Sequence, residues 1–257
     1  LDKLELEKSE FIFFGRLDLE GMPVAKSALK PLIETGKIPW YDDPRLPTLE
    51  GLRRRGIRPE AVRKFILSLG LTKNDTNSPF ATLEAFNKKI IDAESVRLHM
   101  IKKPRKFTIE NFNLEKVDIQ NHPSKDLGKR TVKVDGNVLV NESDTEEMKD
   151  GEFIRLLGLG VVKITSLANG VKGELVDNST KTEKSIQWVG ENDAIQIKII
   201  IPSQLFIGEQ FNEESLIKQE VIVESAYLGL KDDSEIQFVR HGYYRKESSH
   251  QAIFTHK

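Results

Sequence analysis

Pro59-Glu60-Ala61-Val62-Arg63-Lys64-Phe65-Ile66-Leu67-Ser68-Leu69-Gly70 places Val62, Phe65, Ile66 and Leu69 at i, i+3, i+4 and i+7. That spacing gathers apolar side chains on one helical face. Proline suits a first helical position, where its missing N–H costs nothing, and glycine tolerates the left-handed turn after the last one. The stretch therefore predicts a helix, with Arg58, Arg63 and Lys64 off its apolar face. Upstream, a shorter helix is expected from about Thr48 through Arg55, stopped by Gly56, and another from Ala25 to about Glu34, ended by Gly36. Downstream, Ser78-Pro79 offers an N-cap and a first-turn proline for a helix reaching about Ile91. The first hundred residues read as a small helical assembly.

After about Lys106 the period changes to two. Phe153 to Ile164, Ala194 to Ile201, Gln219 to Tyr227 and Ile236 to Tyr244 are short β-branched or aromatic runs. Turn signals separate them: Asp135-Gly136-Asn137, Ala168-Asn169-Gly170, Asp177-Asn178-Ser179 and Asp232-Asp233-Ser234. Many short strands at such spacing suggest antiparallel barrels or a sandwich. Gly158 and Gly160, inside one run, suit a strand bend at a barrel corner. No internal repeat or low-complexity tract is visible. The fold class expected is multi-domain α+β, helices first and β-barrels second.

At 257 residues the chain exceeds one typical domain. Its 38% hydrophobic and 31% charged residues fit a soluble globular protein, and no apolar run is long enough to cross a bilayer. Leu1 to Glu10 alternates charge with Leu and lacks the continuous apolar stretch of a signal peptide. The absence of cysteine excludes disulfides, including disulfide-linked partners, along with thiolate metal sites and cysteine nucleophiles. A cytoplasmic protein is the simplest expectation. The chain also begins without Met and in mid-pattern, as part of a longer protein would.

The net charge of −1 does not announce a nucleic-acid binder, but its distribution is uneven. Between Lys26 and Lys64 there are ten basic residues and five acidic ones. Acid excess sits elsewhere, as in Asn141 to Glu152. A solvated helix face and a phosphate-binding patch both account for such a segment.

Catalytic candidates read from residues alone are weak. Asp42-Asp43 is an adjacent carboxylate pair, but Pro44 makes a turn the better reading. The five histidines lack metal-ligand spacing, so no metal site is expected. There is no Walker-type loop, and Gly158-Leu159-Gly160 lacks the third glycine and following helix of a dinucleotide fingerprint. These features describe a binding module rather than a complete enzyme.

Phe14-Gly15-Arg16-Leu17-Asp18-Leu19-Glu20-Gly21-Met22-Pro23-Val24-Ala25-Lys26-Ser27 is followed by Tyr41-Asp42-Asp43-Pro44-Arg45-Leu46-Pro47-Thr48-Leu49-Glu50-Gly51-Leu52-Arg53-Arg54-Arg55-Gly56. Together they resemble the glutamyl- and glutaminyl-tRNA synthetases of class I, in the form shared by archaeal glutamyl enzymes and glutaminyl enzymes. In that family an S-K-[RS] loop precedes a W-D-D-P-R-x-P-T-x-x-x-L-R-R-R-G block at fixed distance, and Lys26 lies in that register. The resemblance continues through Ile66 to Asp75, Asn121 to Lys125, Lys129-Arg130 and Ile236 to Tyr244. Asn87-Lys88-Lys89-Ile90-Ile91-Asp92 and Phe14-Gly15-Arg16-Leu17 lean toward glutamate. Two departures stand out. The family's H-x-G-H tetrapeptide is absent, and Pro23 and Ala25 replace the first lysine and first serine of the usual K-M-S-K-S loop.

The resemblance implies a division of labour. Residues 1–105 would hold the end of the catalytic core and a helical subdomain contacting the tRNA stem. Residues 106–257 would form two anticodon-binding barrels, a proximal one of about 106–135 plus 202–257 and a distal one of about 136–201. Lys26, in the loop Val24-Ala25-Lys26-Ser27, would stabilise charge on the α-phosphate of ATP. Arg45, Arg53, Arg54, Arg55 and Arg58 would meet tRNA phosphates, or else anchor Asp42, Asp43 or Glu50 internally. Arg130, Gln237 and Arg240 match positions used for anticodon contact, with Lys181 and Lys184 as weaker candidates, while Trp188 reads as barrel core. The implied partners are tRNA-Glu, with tRNA-Gln left open, for a monomeric protein. ATP and Mg2+ would serve the intact enzyme without binding this portion tightly. The alternatives are the corresponding part of a glutaminyl enzyme and a stand-alone RNA-binding module.

Overall fold

In a computed structural model, residues 11–168 and 170–257 are described. The expectations for Leu1 to Glu10 and for the turn at Asn169 lie outside the described residues. Four helices build the first part: α1 (Lys26–Glu34), α2 (Leu49–Arg55), α3 (Pro59–Leu69) and α4 (Phe80–Ile91). Thr48 caps α2, its side-chain oxygen accepting from the Gly51 N–H at 3.0 Å, and Gly56 ends it at φ 89°. Pro59 opens α3 and Gly70 closes it. Start signals at α4 work differently from expectation. Ser78 is the last residue of a strand (Thr76–Ser78) paired in parallel with Leu17–Leu19, and Pro79 stands at the N-cap without a side-chain cap. On α3, Ala61 and Phe65 are buried, whereas Ile66 and Leu67 are exposed.

Two seven-stranded sheets follow, and the α+β two-barrel class stands. The proximal sheet runs Val96–Leu98, Glu235–Phe238, Gly242–Ser248, Gln251–His256, Ala194–Pro202, Leu216–Glu224, Met100–Ile101. The distal sheet runs Lys184–Ile186, Phe153–Leu156, Gly160–Ser166, Val171–Val176, Pro104–Glu110, Asn137–Asn141, Val189–Gly190. The strands are shared out differently from the expected boundaries. Pro104–Glu110 belongs to the distal sheet and Ala194–Pro202 to the proximal one. Alternation identifies a strand but not its partner, so assignment awaited the pairing. The distal barrel is thus an insertion in the proximal one, entered after Ile101 and left at Gly190.

Two runs that read as single strands are hairpins. Leu156 pairs with Gly160 around Gly158 at φ 79°, so these glycines reverse the chain rather than bend it. Likewise Phe238 pairs with Gly242, with Arg240 at φ 65° and Gly242 at φ 111°. A separate two-stranded hairpin, Lys116–Gln120 with Lys129–Lys133, lies between.

Each barrel has its own core. Trp188, Phe107 and Val162 anchor the distal one; Tyr227, Phe238 and Tyr244 anchor the proximal one. Trp188 is fully buried and donates its indole N–H to the Leu157 carbonyl at 2.9 Å, as expected of a core residue. The helical part joins the proximal barrel through polar contacts: Arg55 Nε donates to the Thr255 carbonyl (3.2 Å), and Asn87 Nδ2 meets His256 Nε2 at 3.1 Å.

Gly190 marks the exit from the distal barrel. Its φ of −60° is open to any residue, but a Cβ there would lie 2.0 Å from the Lys133 carbonyl oxygen. Gly190→Ala should therefore lower stability by about 2 kcal/mol. Gly229→Ala, with nothing within 4 Å of the added Cβ, should be close to neutral in the same urea titration. Burial, with the Arg55 and Lys88 charges nearby, pushes His256 down to about 4. Its folded pKa lies below the unfolded value, so the unfolded chain takes up a proton first as pH falls. Stability from this group is full above about pH 6.5 and declines toward pH 4. At pH 5 the loss should be roughly 2 kcal/mol. His256→Gln, which keeps an acceptor for Asn87, should flatten that part of the urea-unfolding pH profile.

Candidate nucleic-acid interface

The arginine run on α2 points three ways, because successive helical residues are set about 100° apart. Arg53 faces solvent beside Glu50 (3.0 Å), Arg54 is half-buried between Asp42 (3.3 Å) and Glu247 (2.6 Å), and Arg55 is buried against Glu84 (2.7 Å). Burial pulls Arg55 down to about 10, against the pull of Glu84. Arg58 Nη2 donates to Glu235 at 2.8 Å and lies 3.2 Å from Glu94. Arg45 is buried, with Nε and Nη2 on Asp43 at 2.9 and 2.8 Å and Nη1 on Ser215 at 2.9 Å. Asp42-Asp43 thus serves as arginine anchors in a turn. Lys26 is the exposed first residue of α1, and among the described residues no carboxylate pairs with it.

Where the chain crosses between the barrels, His99 and Met100 run beside Gln187 and Trp188. His99 Nδ1 lies 2.8 Å from the Trp188 carbonyl and 3.2 Å from Glu224 Oε1. Glu224 is fully buried and holds Arg130 in a fork, Nη2 to Oε1 at 2.9 Å with Nε on Oε2. Arg130 Nη1 donates to the Gln120 carbonyl at 3.0 Å. Burial drives the His99 pKa down, opposed by Glu224 and helped by Arg130. The ring is neutral at ordinary pH, and its hydrogen sits on Nδ1, facing two acceptors.

Beside this cluster opens a cleft of about 350 Å³, lined by Arg97, His99, Asp118, Gln120 and Arg130 with walls of Ile119, Pro123, Leu157, Gly158 and Val239. A second cavity, of about 420 Å³, is lined by Lys102, Lys103, Gln187, Arg240 and His241. There Gln187 is locked between the Met100 N–H (3.2 Å) and His241 Nε2 (2.9 Å). Arg240 is exposed and pairs with Asp144 at 2.9 Å. Gln237 is half-buried and donates to the Tyr243 hydroxyl at 3.2 Å. Lys181 is exposed in a shallow groove with Arg155 and Ser179, and Lys184 sits 3.4 Å from Glu152.

The expectation of RNA contacts at Arg45, Arg55 and Arg130 meets a different arrangement. All three are buried and donate inside the fold, Arg45 to Asp43 and Ser215, Arg55 to Glu84 and the Thr255 carbonyl, Arg130 to Glu224 and the Gln120 carbonyl. Arg53, Arg240 and Lys181 remain at the surface, with Arg54, Arg58, Gln237 and Lys184 half-buried. Arg97 and His99 were not singled out by sequence reasoning. Their signal is a basic residue and a histidine beside the period change, which becomes legible only once the strand partners are known.

Three family models divide nearly the whole chain. Residues 1–93 match "tRNA synthetases class I (E and Q), catalytic domain", and residues 95–182 and 185–247 match two models described as "tRNA synthetases class I (E and Q), anti-codon binding domain". The chain belongs to the class I glutamyl- and glutaminyl-tRNA synthetase family. Within that family it is 53% identical to the glutamate–tRNA ligase of Nitrosopumilus maritimus (strain SCM1) over 258 residues, covering all of this chain and 45% of that protein. The Cenarchaeum symbiosum (strain A) glutamate–tRNA ligase is 46% identical over 257 residues, covering all of this chain and 46% of its own. That of Methanococcoides burtonii is 35% identical over 239 residues, covering 90% of this chain and 39% of its own. The chain spans a little under half the length of these synthetases.

Glu224 is the shared partner of Arg130 and His99, and removing it strands a buried guanidinium. Glu224→Ala should cost about 3–5 kcal/mol in urea unfolding, well beyond a surface Glu→Ala such as Glu60→Ala.

Proposed function

We propose that this chain is the tRNA-holding part of a glutamate–tRNA ligase, which activates glutamate with ATP and transfers it to tRNA-Glu. The single observation that carries the reading is the cleft at the barrel crossing, where fixed donors and acceptors line a cavity inside segments matched as anticodon-binding. Single-stranded bases are read where they can be splayed out, packed on side chains and hydrogen-bonded along their edges. The three relatives, all glutamate–tRNA ligases, support glutamate over glutamine.

In this reading the arginines divide by task. Arg53, Arg54 and Arg58, in the helical part, meet phosphates of the tRNA stem and set its register without reading sequence. Gln237 and Arg240 from one hairpin, with Lys181 and Lys184 at the distal barrel, approach the anticodon loop. Arg45, Arg55 and Arg130 keep the frame that aims the others. Lys26 would supply positive charge to the ATP phosphates in the intact enzyme. Among the described residues no three His, Asp or Glu side chains are grouped to hold a metal. A magnesium ion accompanying ATP would find no such cluster there. The protein acts as a monomer in the cytoplasm, where tRNA is charged.

Filter binding of a tRNA-Glu transcript tests the reading. Affinity should fall by about tenfold or more between roughly 50 and 200 mM KCl. Arg53→Ala should weaken all tRNAs alike and reduce the salt slope by about one. Binding that is insensitive to salt, and no tighter than to an unrelated RNA of equal length, would sink the proposal.

A further inference from the structure

Tryptophan occurs twice in the chain, and the two residues sit in opposite surroundings. Trp188 is fully buried, whereas Trp40 is 62% exposed on the segment joining α1 to α2. In the W-D-D-P-R pattern the tryptophan position falls at Tyr41, which packs against the cluster of Leu29, Leu32, Ile38 and Leu46. Trp40 is thus a second aromatic placed just before it. The backbone on either side is fixed. Ile38, fully buried, donates its N–H to the Leu32 carbonyl at 3.1 Å. The Trp40 carbonyl accepts from the Asp43 N–H at 3.2 Å, and the Tyr41 carbonyl accepts from the Thr48 hydroxyl, whose oxygen also caps α2. The Trp40 and Tyr41 rings meet edge to face, with centroids 5.5 Å apart at 75°. A contact of that shape covers at most one face of the indole. An ordered turn therefore presents at least one face of a large flat ring to solvent. Its surroundings favour a polyanion. Lys37 is exposed beside Glu213 (3.9 Å), and Arg53 is exposed on the helix that Thr48 ties to Tyr41. The carboxylates next in sequence, Asp42 and Asp43, are already paired with Arg54 and Arg45.

We infer that Trp40 is a stacking platform for one unpaired base of the tRNA body, outside the anticodon. A π-face is all that stacking requires, and every base has one, while the cations beside the ring suit the phosphates on either side of that base. Trp40 lies in the helical part, within residues 1–93, whereas the anticodon-binding matches begin at residue 95. Because the turn is ordered before RNA arrives, little conformational freedom is lost on binding. The contact is indifferent to base identity and releases no counterions. It adds affinity and register without specificity and without salt dependence, which separates it from the arginine contacts. The inference rests on the proposed tRNA-holding role and adds to its phosphate contacts a contact with a base.

With Trp188 buried, tryptophan emission of the 257-residue chain gives the test. Acrylamide should quench the free chain through Trp40, and Trp40→Phe should remove that accessible component. A tRNA-Glu transcript should shield Trp40 from acrylamide, while the isolated anticodon stem-loop at the same concentration should not. Changes shared with Trp40→Phe report absorption by the RNA and are subtracted. In filter binding, Trp40→Ala should weaken tRNA-Glu by about fivefold or more, and Trp40→Phe, which keeps a π-face, should stay within about threefold of the parent. The salt slope of Trp40→Ala should equal that of the parent, unlike the slope of Arg53→Ala. Trp40→Ala should also keep the parent's urea midpoint, since the ring is exposed. Undiminished acrylamide quenching in the tRNA complex overturns the inference, as does parent-like binding by Trp40→Ala or shielding by the anticodon stem-loop alone. If Trp40→Ala does not fold, shielding of the unaltered chain and the affinity of Trp40→Phe decide. If no tRNA binds the parent chain, the proposed function fails as well, whereas salt-sensitive binding that leaves Trp40 open to acrylamide removes the Trp40 inference alone.

Discussion

A carboxylate shut away from water must find partners or lose its charge, and Glu224 finds them on two other pieces of the chain. It lies at the end of the strand Leu216–Glu224 in the proximal barrel. Arg130 comes to it from the hairpin Lys116–Lys133, and His99 from the crossing into the distal barrel. None of the three can move without stranding the others. Through His99, which also meets the Trp188 carbonyl, this buried group helps fix the wall of the cavity between the barrels. Desolvation makes such an arrangement a poor source of net stability. Its use is geometric: a two-pronged arginine fork and an imidazole with one fixed tautomer leave little freedom at the cavity wall.

The same device recurs where the helical part meets the proximal barrel. Arg55 reaches both Glu84 on α4 and the Thr255 carbonyl on the last strand, while Arg45 joins Asp43 to Ser215. Gly56 lets α2 approach that strand, since a Cβ there would lie 2.8 Å from the Thr255 hydroxyl. A short helix of seven residues has little apolar area to bury. Guanidinium groups, long and able to donate in several directions, span the gap that side-chain packing alone would leave.

How much of this the sequence discloses depends on the kind of information each feature carries. Helices α2 and α3 were legible because their signals are local: Thr48 and Gly56 at the ends of one, Pro59 and Gly70 at the ends of the other. Strand partnership is not local. Nothing near Pro104–Glu110 says that it pairs with Asn137–Asn141 and Val171–Val176, which is why the barrel boundaries fell elsewhere. The Gly158 and Arg240-His241-Gly242 turns were hidden because apolar alternation continues on both sides of them. Among the arginines, charge shows that three occur in a row, but only helical phase and the positions of Glu84 and Glu247 show which one reaches solvent.

Committed charge and free charge do different work in a protein whose net charge is −1. Exposed lysines and arginines attract a polyanion from any direction and are indifferent to its sequence. Discrimination between bases needs donors and acceptors that cannot swing to suit the wrong partner, because a flexible group satisfies either. Rigidity of that kind comes from the neighbours of the reading group. His99 is held at Nδ1 by the Trp188 carbonyl and Glu224, and Glu224 is held in turn by Arg130. The buried arginine thus shapes the cavity wall indirectly, by holding the carboxylate that His99 also meets.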